Sequence, residues 1–317
     1  MCFVCLLLFG CSQLGQTPRS KKESIVLMIV GDIMLDRGVG KIMDKKKSSD
    51  HPFRRVKEIL RSADLVVGNL ESTLSDKEGA PCAKRVCFKG RPAAAKGIRN
   101  AGVGLVSLAN NHALDFGPSV LGDTVHHLNK NKIRYFGVIE TGHRQKPTIV
   151  TVHGQQIGFL GFHRWSEAPC REGDICADAI DDEIFSDISS AKQGVDFLVV
   201  YFHLGQEYKT LHNANQEIFS KKAIDSGADI VVSSHPHVLQ DDEVYKGKHI
   251  IYSLGNFVFD QPTSRTPAPK KAVRTSEIRV FEIHRDTDVT LHSLPVCISD
   301  EFQPYVSSKE CFRLNID

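Results

Sequence analysis

The feature that most constrains the fold is a series of short apolar runs, each about as long as one buried strand. The runs are Ile25–Val30, Leu65–Val67, Val103–Leu108, Ile157–Phe162, Phe197–Phe202, Ile230–Val232 and Ile250–Tyr252. They are rich in β-branched residues and show no alternation of apolar and polar side chains, which is typical of strands buried on both faces. The stretches between them that predict helices are Pro52–Ser62, Pro92–Ala101, Val120–Asn129 and Gln216–Asp225. This alternation indicates an α/β fold that binds its ligands where the strands end.

The last part of the chain departs from this alternation. Ile278–Ile283 and Val289–Leu294 follow each other without a helical stretch, and we expect them to be antiparallel strands that close a second sheet. The segment Asp260–Lys271 holds three prolines and predicts a surface loop. The length of 317 residues permits more than one domain, and our interpretation is a single domain over residues 25–317.

The N-terminal residues resemble a targeting segment. The apolar run Phe3–Phe9 is far shorter than the roughly 20 residues needed to span a bilayer. It leads into Leu8-Phe9-Gly10-Cys11, which resembles the lipobox of a bacterial lipoprotein signal, although no Lys or Arg precedes the run as a secretory signal requires. We therefore expect a lipoprotein-type signal segment over 1–11, with Cys11 as the lipidation site, and a linker over 12–24. The alternative is an incidental cysteine in a ragged terminus. A lipidated Cys11 predicts an extracytoplasmic protein anchored at the membrane surface, in the periplasm or at the cell surface.

The remaining cysteines and the charge balance bear on the compartment and the partners. Six cysteines outside the signal segment form three local pairs, namely Cys82 with Cys87, Cys170 with Cys176, and Cys297 with Cys311. Six cysteines allow 15 pairings, and disulfides between these neighbours are the simplest interpretation. Disulfides indicate an oxidising compartment. A formal net charge of +2 gives no basic face of the kind that binds nucleic acid, so we expect no nucleic-acid partner.

Polar side chains come directly after the apolar runs. Those with metal-binding or acid–base chemistry are Asp32, Glu71, Asn111, His112, His203, Glu207, His235 and His237. Each alone has an ordinary explanation, such as a helix cap or a hydrogen-bonded structural histidine. Together they converge at one edge of a parallel sheet, and burying so many polar groups is costly unless a partner neutralises them. Carboxylates and imidazoles are ligands that divalent metals accept, so the series predicts a metal centre.

The motifs around these residues resemble those of a known family. Gly31-Asp32-Ile33-Met34-Leu35, Gly68-Asn69-Leu70-Glu71, Ala109-Asn110-Asn111-His112, His203-Leu204-Gly205-Gln206-Glu207, His235-Pro236-His237 and Leu254-Gly255-Asn256-Phe257 occur in the order found in the CapA family of capsule and poly-γ-glutamate biosynthesis proteins. The resemblance extends from about Ile25 to Gln261. CapA-like domains are similar to calcineurin-like metallophosphoesterases. The implied fold is a four-layer αββα sandwich of two mixed sheets, α/β with α+β parts, that holds two metals at the sheet edge.

The resemblance also implies roles for single residues. Asp32, Glu71 and His237 would bind a first metal, with Glu71 where phosphoesterases place a bridging Asp, unless Asn69 takes that role. Asn111, His203 and His235 would bind a second metal, and His112 would act on the substrate as an acid or electrostatic stabiliser. Glu207 would orient a water or a ligating imidazole, or else is a surface carboxylate. One position departs from the phosphoesterase pattern, because Met34 stands where those enzymes carry a histidine.

These features leave three functions open. The leading hypothesis is a membrane-anchored protein that binds two divalent ions (Mn, Zn or Fe) and hydrolyses or transfers a phosphoester or amide bond of an anionic cell-surface polymer or its precursor. The second is a non-catalytic assembly subunit that works with membrane synthase subunits. The third is a stand-alone periplasmic phosphoesterase.

Overall fold

The computed structural model describes residues 24–164, 170–261, 269–307 and 311. Its strands are β1 (Ser24–Ile33), β2 (Leu65–Leu70), β3 (Thr73–Leu74), β4 (Lys89–Gly90), β5 (Leu105–Ser107), β6 (Arg134–Phe136), β7 (Val138–Glu140), β8 (Thr148–Val152), β9 (Gln155–His163), β10 (Ile175–Ala177), β11 (Phe197–His203), β12 (Ile230–Ser234), β13 (Asp242–Tyr245), β14 (Lys248–Ile251), β15 (Asn256–Val258), β16 (Thr275–His284), β17 (Val289–Ile298) and β18 (Pro304–Val306). The α-helices are α1 (Arg37–Lys46), α2 (Lys57–Arg61), α3 (Ala94–Ala101), α4 (Pro118–Lys130), α5 (Ile184–Lys192), α6 (Ala214–Asp225) and α7 (Lys270–Val273), and His51–Phe53 forms a 3₁₀ turn.

Two mixed sheets form the centre of the fold. The first has the strand order β18-β17-β16-β1-β2-β5-β6, with β15 also paired to β1. The second has the order β13-β14-β12-β11-β9-β8. In the first sheet β1, β2, β5 and β6 pair in parallel and β16 to β18 are antiparallel, and in the second β9, β11, β12 and β14 pair in parallel and the edge strands β8 and β13 are antiparallel. The parallel strands therefore end at one edge, where the connecting loops meet.

Helices cover the outer face of each sheet. Apolar side chains of α1 to α4 pack with the outward residues of β1, β2 and β5 in one cluster, and those of α5 and α6 pack with β9, β11 and β12 in another. A third cluster, which includes Ile29, Val67, Phe159 and Tyr201, lies between the two sheets. Each such buried apolar side chain contributes about 1.5–3 kcal/mol. The result is the predicted four-layer αββα sandwich.

A bulge in β1 decides which side chain reaches the polar edge. Ile29 pairs with Val67, but the next pair is Asp32 with Asn69, so β1 contains one residue more than β2 over this stretch. An extra residue re-aims the side chains that follow it. Since Ile29 and Val67 both belong to the cluster between the sheets, Asp32 now continues that row. Gly31 lies inside the bulge, where an added Cβ would stand 2.0 Å from the Gly255 carbonyl oxygen.

Most predicted elements are confirmed, and two predictions are wrong. All the apolar runs overlap strands, but the tail strands β16 and β17 extend the first sheet through an antiparallel pairing of β16 with β1, so they do not close the second. The predicted helix Pro52–Ser62 is divided between the 3₁₀ turn and the short α2. The helices α1, α5 and α7 were not predicted. In α1 only Val39 and Met43 are buried, which leaves little apolar periodicity.

All three predicted disulfides are formed, with Cα–Cα distances of 6.5 Å for Cys82–Cys87, 6.4 Å for Cys170–Cys176 and 5.3 Å for Cys297–Cys311. The signal segment 1–11, including Cys11, and the linker up to residue 23 lie outside the described residues, as do residues 262–268 of the predicted proline-rich loop. Among the described residues, none of the helices combines the length and apolar character needed to cross a membrane.

Candidate metal centre

The predicted ligands gather at the edge where the inner strands of both sheets end. Ligand atoms of Asp32, Glu71 and His203 lie within 4.8 Å of one another, and so do those of Glu207, His235 and His237. His237 joins the two groups, because its Nδ1 lies 3.4 Å from Asp32 Oδ2 and its Nε2 lies 3.6 Å from Glu71 Oε1. The structure thus brings together on one site residues that are up to 205 positions apart, from 32 to 237.

The two carboxylates are fully buried and incompletely bonded. Asp32 and Glu71 are 0% exposed, and Asp32 Oδ2 and Glu71 Oε1 have no hydrogen-bond partner. Burial, and then the neighbouring Asp32, raise the pKa of Glu71 well above its usual value. A buried anion without a partner is strongly unfavourable. Two unbonded carboxylate oxygens that face the same imidazole fit a divalent cation, which prefers such oxygen and nitrogen ligands.

Asn69 links the parts of the centre. Its amide nitrogen donates to Asp32 Oδ1 at 2.8 Å, lies 3.4 Å from Glu71 Oε2, and lies 3.3 Å from His203 Nδ1. Its oxygen accepts a hydrogen bond from Asn110 Nδ2 at 3.1 Å. Asn69 therefore orients both carboxylates with its nitrogen, and the sequence alternative in which it replaces Glu71 is not needed to explain its position.

On the imidazole side of the centre, His203 is hydrogen-bonded through both ring nitrogens, whereas the buried Nδ1 of His235 has no hydrogen bond within the described part of the chain. His203 Nδ1 lies 2.8 Å from Ser234 Oγ, and its Nε2 lies 2.9 Å from Asn111 Oδ1. The ring of His235 stands edge-on to His203, with 5.0 Å between centroids. Burial, followed by the neighbouring imidazoles, lowers the pKa of His203 well below its usual value, and burial does the same to His235. Both rings are therefore neutral at pH 7, which is the form that binds a metal.

The His235-Pro236-His237 segment has an unusual backbone. The φ angles of His235 and His237 are 101° and 58°, in the left-handed region that non-glycine residues rarely adopt. Asn256 holds His237, since its Oδ1 lies 2.9 Å from the Nδ1 of that ring and its Nδ2 donates to the backbone oxygen of His237. Backbone strain of this kind concentrates at functional sites.

His112 is placed as the sequence predicts, and Asp115 is its partner. His112 Nδ1 lies 2.8 Å from Asp115 Oδ2, and its Nε2 lies 3.9 Å from Glu71 Oε1. The ring packs on Phe88 at 4.1 Å between centroids. Burial lowers the pKa of His112, while Asp115 opposes that effect. With Nδ1–H donating a hydrogen bond to Asp115, the ring presents Nε2 to the carboxylates of the centre.

A cleft of about 850 Å³ opens over the centre. Its lining residues are Arg37, Lys84, Arg85, Val86, Phe88, Asn111, His112, Glu207, Tyr208, His237, Phe259 and Gln261. Glu207 is exposed at this opening although its carboxylate approaches His235 and His237. The cleft carries three basic side chains and one acidic one, so it favours an anionic ligand.

Sequence reasoning missed some residues of this edge. His163 ends β9 directly opposite His203, and burial lowers its pKa to about 4. The rule that singled out His203, an imidazole at the end of a buried strand, applies equally to His163. Ser234 carried no signal, because a serine at a strand end is ordinary. Met34 contributes no nitrogen, and its sulfur accepts a hydrogen bond from the backbone of Asp36.

Comparisons with known proteins identify the family of this chain. Residues 26–261 match the family described as bacterial capsule synthesis protein PGA_cap. The capsule biosynthesis protein CapA of Bacillus anthracis is 35% identical over 78% of this chain and 62% of its own length. The PGA biosynthesis protein CapA of Bacillus subtilis is 34% identical over 83% of this chain and 72% of its own. The chain therefore spans less than two thirds of the Bacillus anthracis relative.

Solved structures bear on the fold. A hypothetical protein from Thermus thermophilus is similar with a TM-score of 0.52 and 17% identity, over 86% of this chain and 98% of its own. A putative 5'-nucleotidase from Staphylococcus aureus is similar with a TM-score of 0.51 and 15% identity, over 93% of this chain and 56% of its own. They confirm the metallophosphatase-like fold that the motifs predict. The chain belongs to the CapA (PGA_cap) family of bacterial capsule synthesis proteins.

Proposed function

We propose that this protein takes part in the synthesis, export or anchoring of an anionic cell-surface polymer such as poly-γ-glutamate, through metal-dependent hydrolysis or transfer at a phosphoester or amide bond. The observation that carries the proposal is the pair of buried carboxylates, Asp32 and Glu71, each with an unbonded oxygen beneath a cleft with basic walls. We choose this polymer because the relatives are named for capsule and PGA biosynthesis.

The residues divide into two halves, which we name the carboxylate half (Asp32, Glu71 and His237) and the imidazole half (Asn111, His203 and His235). Each half would hold one divalent ion, Mn, Zn or Fe. An ion bound there supplies Lewis-acid chemistry, which polarises a phosphoryl or carbonyl group and acidifies water. Asn69 fixes the orientation of both carboxylates.

His112 is the proposed proton carrier. The buried carboxylate of Asp115 accepts a hydrogen bond from Nδ1–H of His112, so Nε2 is the atom that takes or gives a proton on the side of the carboxylates. A protonated His112 would donate to the leaving group or stabilise a developing negative charge, and Asp115 would balance the imidazolium. Glu207, exposed at the cleft opening, would orient a water or the imidazole of His235.

Location outside the cytoplasm is part of the proposal. Three disulfides in the described chain are typical of an oxidising compartment. Lipidation of Cys11 would anchor the protein to the membrane surface, close to the synthase subunits that make the polymer. Mass spectrometry of the membrane fraction tests this step, and an unmodified Cys11 in a soluble mature protein would contradict it.

Substitution of Asn111 and of His235 by Ala tests the catalytic proposal. In a strain that depends on this chain for its polymer, both variants should abolish polymer output and any chelator-sensitive cleavage of phosphoester or amide substrates. The exposed Asn129 and His126, on α4, provide the matched controls Asn129→Ala and His126→Ala. Normal polymer output without any cleavage in the variants would favour a non-catalytic assembly subunit, for which Met34 in place of a histidine is the supporting observation. Cleavage without any effect on the polymer would favour a stand-alone phosphoesterase.

A further inference from the structure

One wall of the cleft is a short ring, residues 82–87, closed by the disulfide between Cys82 and Cys87. The chain on both sides of this ring is fixed to the segment 111–116. The backbone N–H of Ala80 donates to the Phe116 oxygen at 2.9 Å, and the N–H of Phe88 donates to Asp115 Oδ2 at 2.8 Å. The ring and the segment that carries Asn111 and His112 therefore form one unit.

Two neighbouring cations in the ring have different surroundings. Lys84 Nζ donates to the Asn111 backbone oxygen and lies 3.1 Å from Asp115 Oδ1, so its charge is directed at the protein. Arg85 is exposed and lines the cleft. Within the described part of the chain, the side chain of Arg85 takes part in no ion pair or hydrogen bond.

The other charges of the cleft are already balanced or negative. Arg37 pairs with Asp260 and lies over the Phe88 ring at 4.6 Å. Glu207 is the acidic residue of the lining. Arg85 is therefore the basic side chain of the cleft wall whose charge has no acidic partner among the described residues.

A guanidinium group in this position suits one class of ligand. Its planar set of donors matches a carboxylate or a phosphate with two parallel hydrogen bonds. We infer that Arg85 binds an acidic group of the substrate, and that Lys84 and the Cys82–Cys87 disulfide hold Arg85 beside the metal centre. The inference rests on the proposed function for the identity of the substrate, and on the ring geometry for the position of Arg85.

The disulfide gives Arg85 an advantage that an open loop lacks. A closed ring tied down at Ala80, Lys84 and Phe88 has little conformational freedom to lose when a ligand binds, and such preorganisation increases affinity. Lys84 is a positioning residue in this arrangement, since its ammonium group contacts Asp115 and Asn111.

Calorimetric binding of a short γ-linked glutamate oligomer to the full-length protein tests the role of Arg85. Arg85→Gln should weaken binding roughly 10- to 100-fold, the range expected for a charged hydrogen-bonded contact, and Arg85→Lys should restore only part of it. The matched control is Arg99→Gln, because Arg99 is exposed on α3, outside the cleft lining. An oligomer with methyl-esterified carboxylates should bind as weakly to the wild type as the free acid binds to Arg85→Gln. Pyrophosphate in a parallel titration shows whether a phosphate occupies the subsite more tightly than a carboxylate.

Opening the ring tests the positioning. The double substitution Cys82→Ser with Cys87→Ser should weaken oligomer binding several-fold, roughly 3- to 10-fold, while Cys170→Ser with Cys176→Ser, outside the cleft lining, should not. Lys84→Met should weaken binding in the wild type and have almost no further effect in Arg85→Gln, because the two residues act together. Thermal unfolding of each variant shows that the fold is kept.

The inference is overturned if Arg85→Gln binds the oligomer as the Arg99→Gln control does, or if the esterified oligomer binds as tightly as the free acid. Its failure differs from failure of the proposed function. A wild type that contains no metal but binds the oligomer through Arg85 would contradict the metal chemistry and leave the acid subsite standing. A metal-loaded protein in which Arg85 has no effect on oligomer binding would contradict the acid subsite and leave the metal chemistry standing.

Discussion

The carboxylate half and the imidazole half of the candidate centre differ in how far the protein satisfies them. In the imidazole half, both nitrogens of His203 have partners, at Ser234 and Asn111. In the carboxylate half, Asp32 and Glu71 each keep one buried oxygen without a hydrogen bond. The protein alone thus stabilises a neutral His203 through both nitrogens, whereas it leaves two buried carboxylate oxygens without a hydrogen bond.

In the proposed centre, this difference indicates which half depends more on a metal. Neutral rings in hydrogen bonds are stable without an ion, but two adjacent buried carboxylates repel each other and lack solvation. Sequence motifs alone suggested that the imidazole half was better specified, because Met34 replaces an expected ligand of the other half. The structure places the stronger demand for a cation on the carboxylate half.

The largest expected effect comes from Glu71→Gln, which removes one charge of the carboxylate half. Metal affinity should fall more than about 100-fold, beyond the loss usual for residues that only support a ligand. Burial and Asp32 raise the pKa of Glu71, so the native metal-free protein keeps a proton that the unfolded chain loses above about pH 4.3. Stability of the metal-free wild type should therefore fall as pH rises above that value, and the variant should not show this fall.

Thermal unfolding with a chelator, and again with Mn²⁺, measures the change in stability without and with metal. At pH 7 the variant should be more stable than the wild type without metal and less stable with it. The exposed Asp182, changed to Asn, is the control and should leave both values unchanged. Equal stability of wild type and variant in the chelator would contradict the idea that the carboxylate half is unsatisfied.

Asp115→Asn should separate proton transfer from metal binding. Asp115 contacts His112 and lies outside both halves, so metal content should stay at the wild-type level. Turnover should fall about 100-fold, within the range for acid–base catalysis. Metal analysis and steady-state kinetics on the same preparation check both statements, and a loss of metal in the variant would place Asp115 in the centre itself.

Asn69→Ala should show how far one amide supports the carboxylate half. Its nitrogen approaches both Asp32 and Glu71, and loss of such a supporting group weakens metal affinity about 10- to 100-fold. Competition titration with a chromophoric chelator measures the change. Asn129→Ala, on the exposed face of α4, is the control. If Asn69→Ala binds metal as tightly as this control, Asn69 does not support the carboxylates.

The smallest expected effect is at Asp178, a buried carboxylate outside the centre. Burial raises its pKa to about 7, against about 3.9 in an unfolded chain. The native protein therefore holds this proton longer than the unfolded chain, and stability is lost as pH rises from about 4 to about 7. Asp178→Asn should raise stability at pH 8 by on the order of 1 kcal/mol or more, and leave it unchanged at pH 3.

Asp178→Asn contrasts with Glu71→Gln because no metal is expected near Asp178. Its stabilisation should be the same with a chelator and with Mn²⁺, unlike that of Glu71→Gln. Denaturant unfolding at the two pH values measures it. A gain that depends on metal would show that Asp178 belongs to the centre.

The sequence predicted the fold correctly in those segments where a single physical signal, such as a continuous apolar run, was dominant. Continuous apolar runs such as Phe197–Phe202 predict buried strands because both faces must be covered, and they became the inner strands. The strands β16 and β17 were assigned to the wrong sheet. The sequence of a single strand does not show which sheet the strand joins. The pairing of β16 with β1 depends on distant parts of the chain.

The candidate site was predictable in its residue types and not in its connections. Asp32 and Glu71 follow apolar runs, so the sequence shows that they lie at strand ends. The bulge that turns Asp32 toward the space between the sheets, and the central place of Asn69, arise from the register between β1 and β2. In the sequence, the disulfide ring with Arg85 has the composition of an ordinary polar loop. Its position next to Asp115 is a tertiary contact, which the local sequence does not show.

Metal analysis of the purified wild type beside Asp32→Ala and His235→Ala measures whether each half of the centre binds an ion. We expect two divalent ions per chain in the wild type and fewer in both variants, since each variant removes a ligand from one half. A wild type that is fully folded, free of metal and unable to take up Mn²⁺, Zn²⁺ or Fe²⁺ would contradict this expectation.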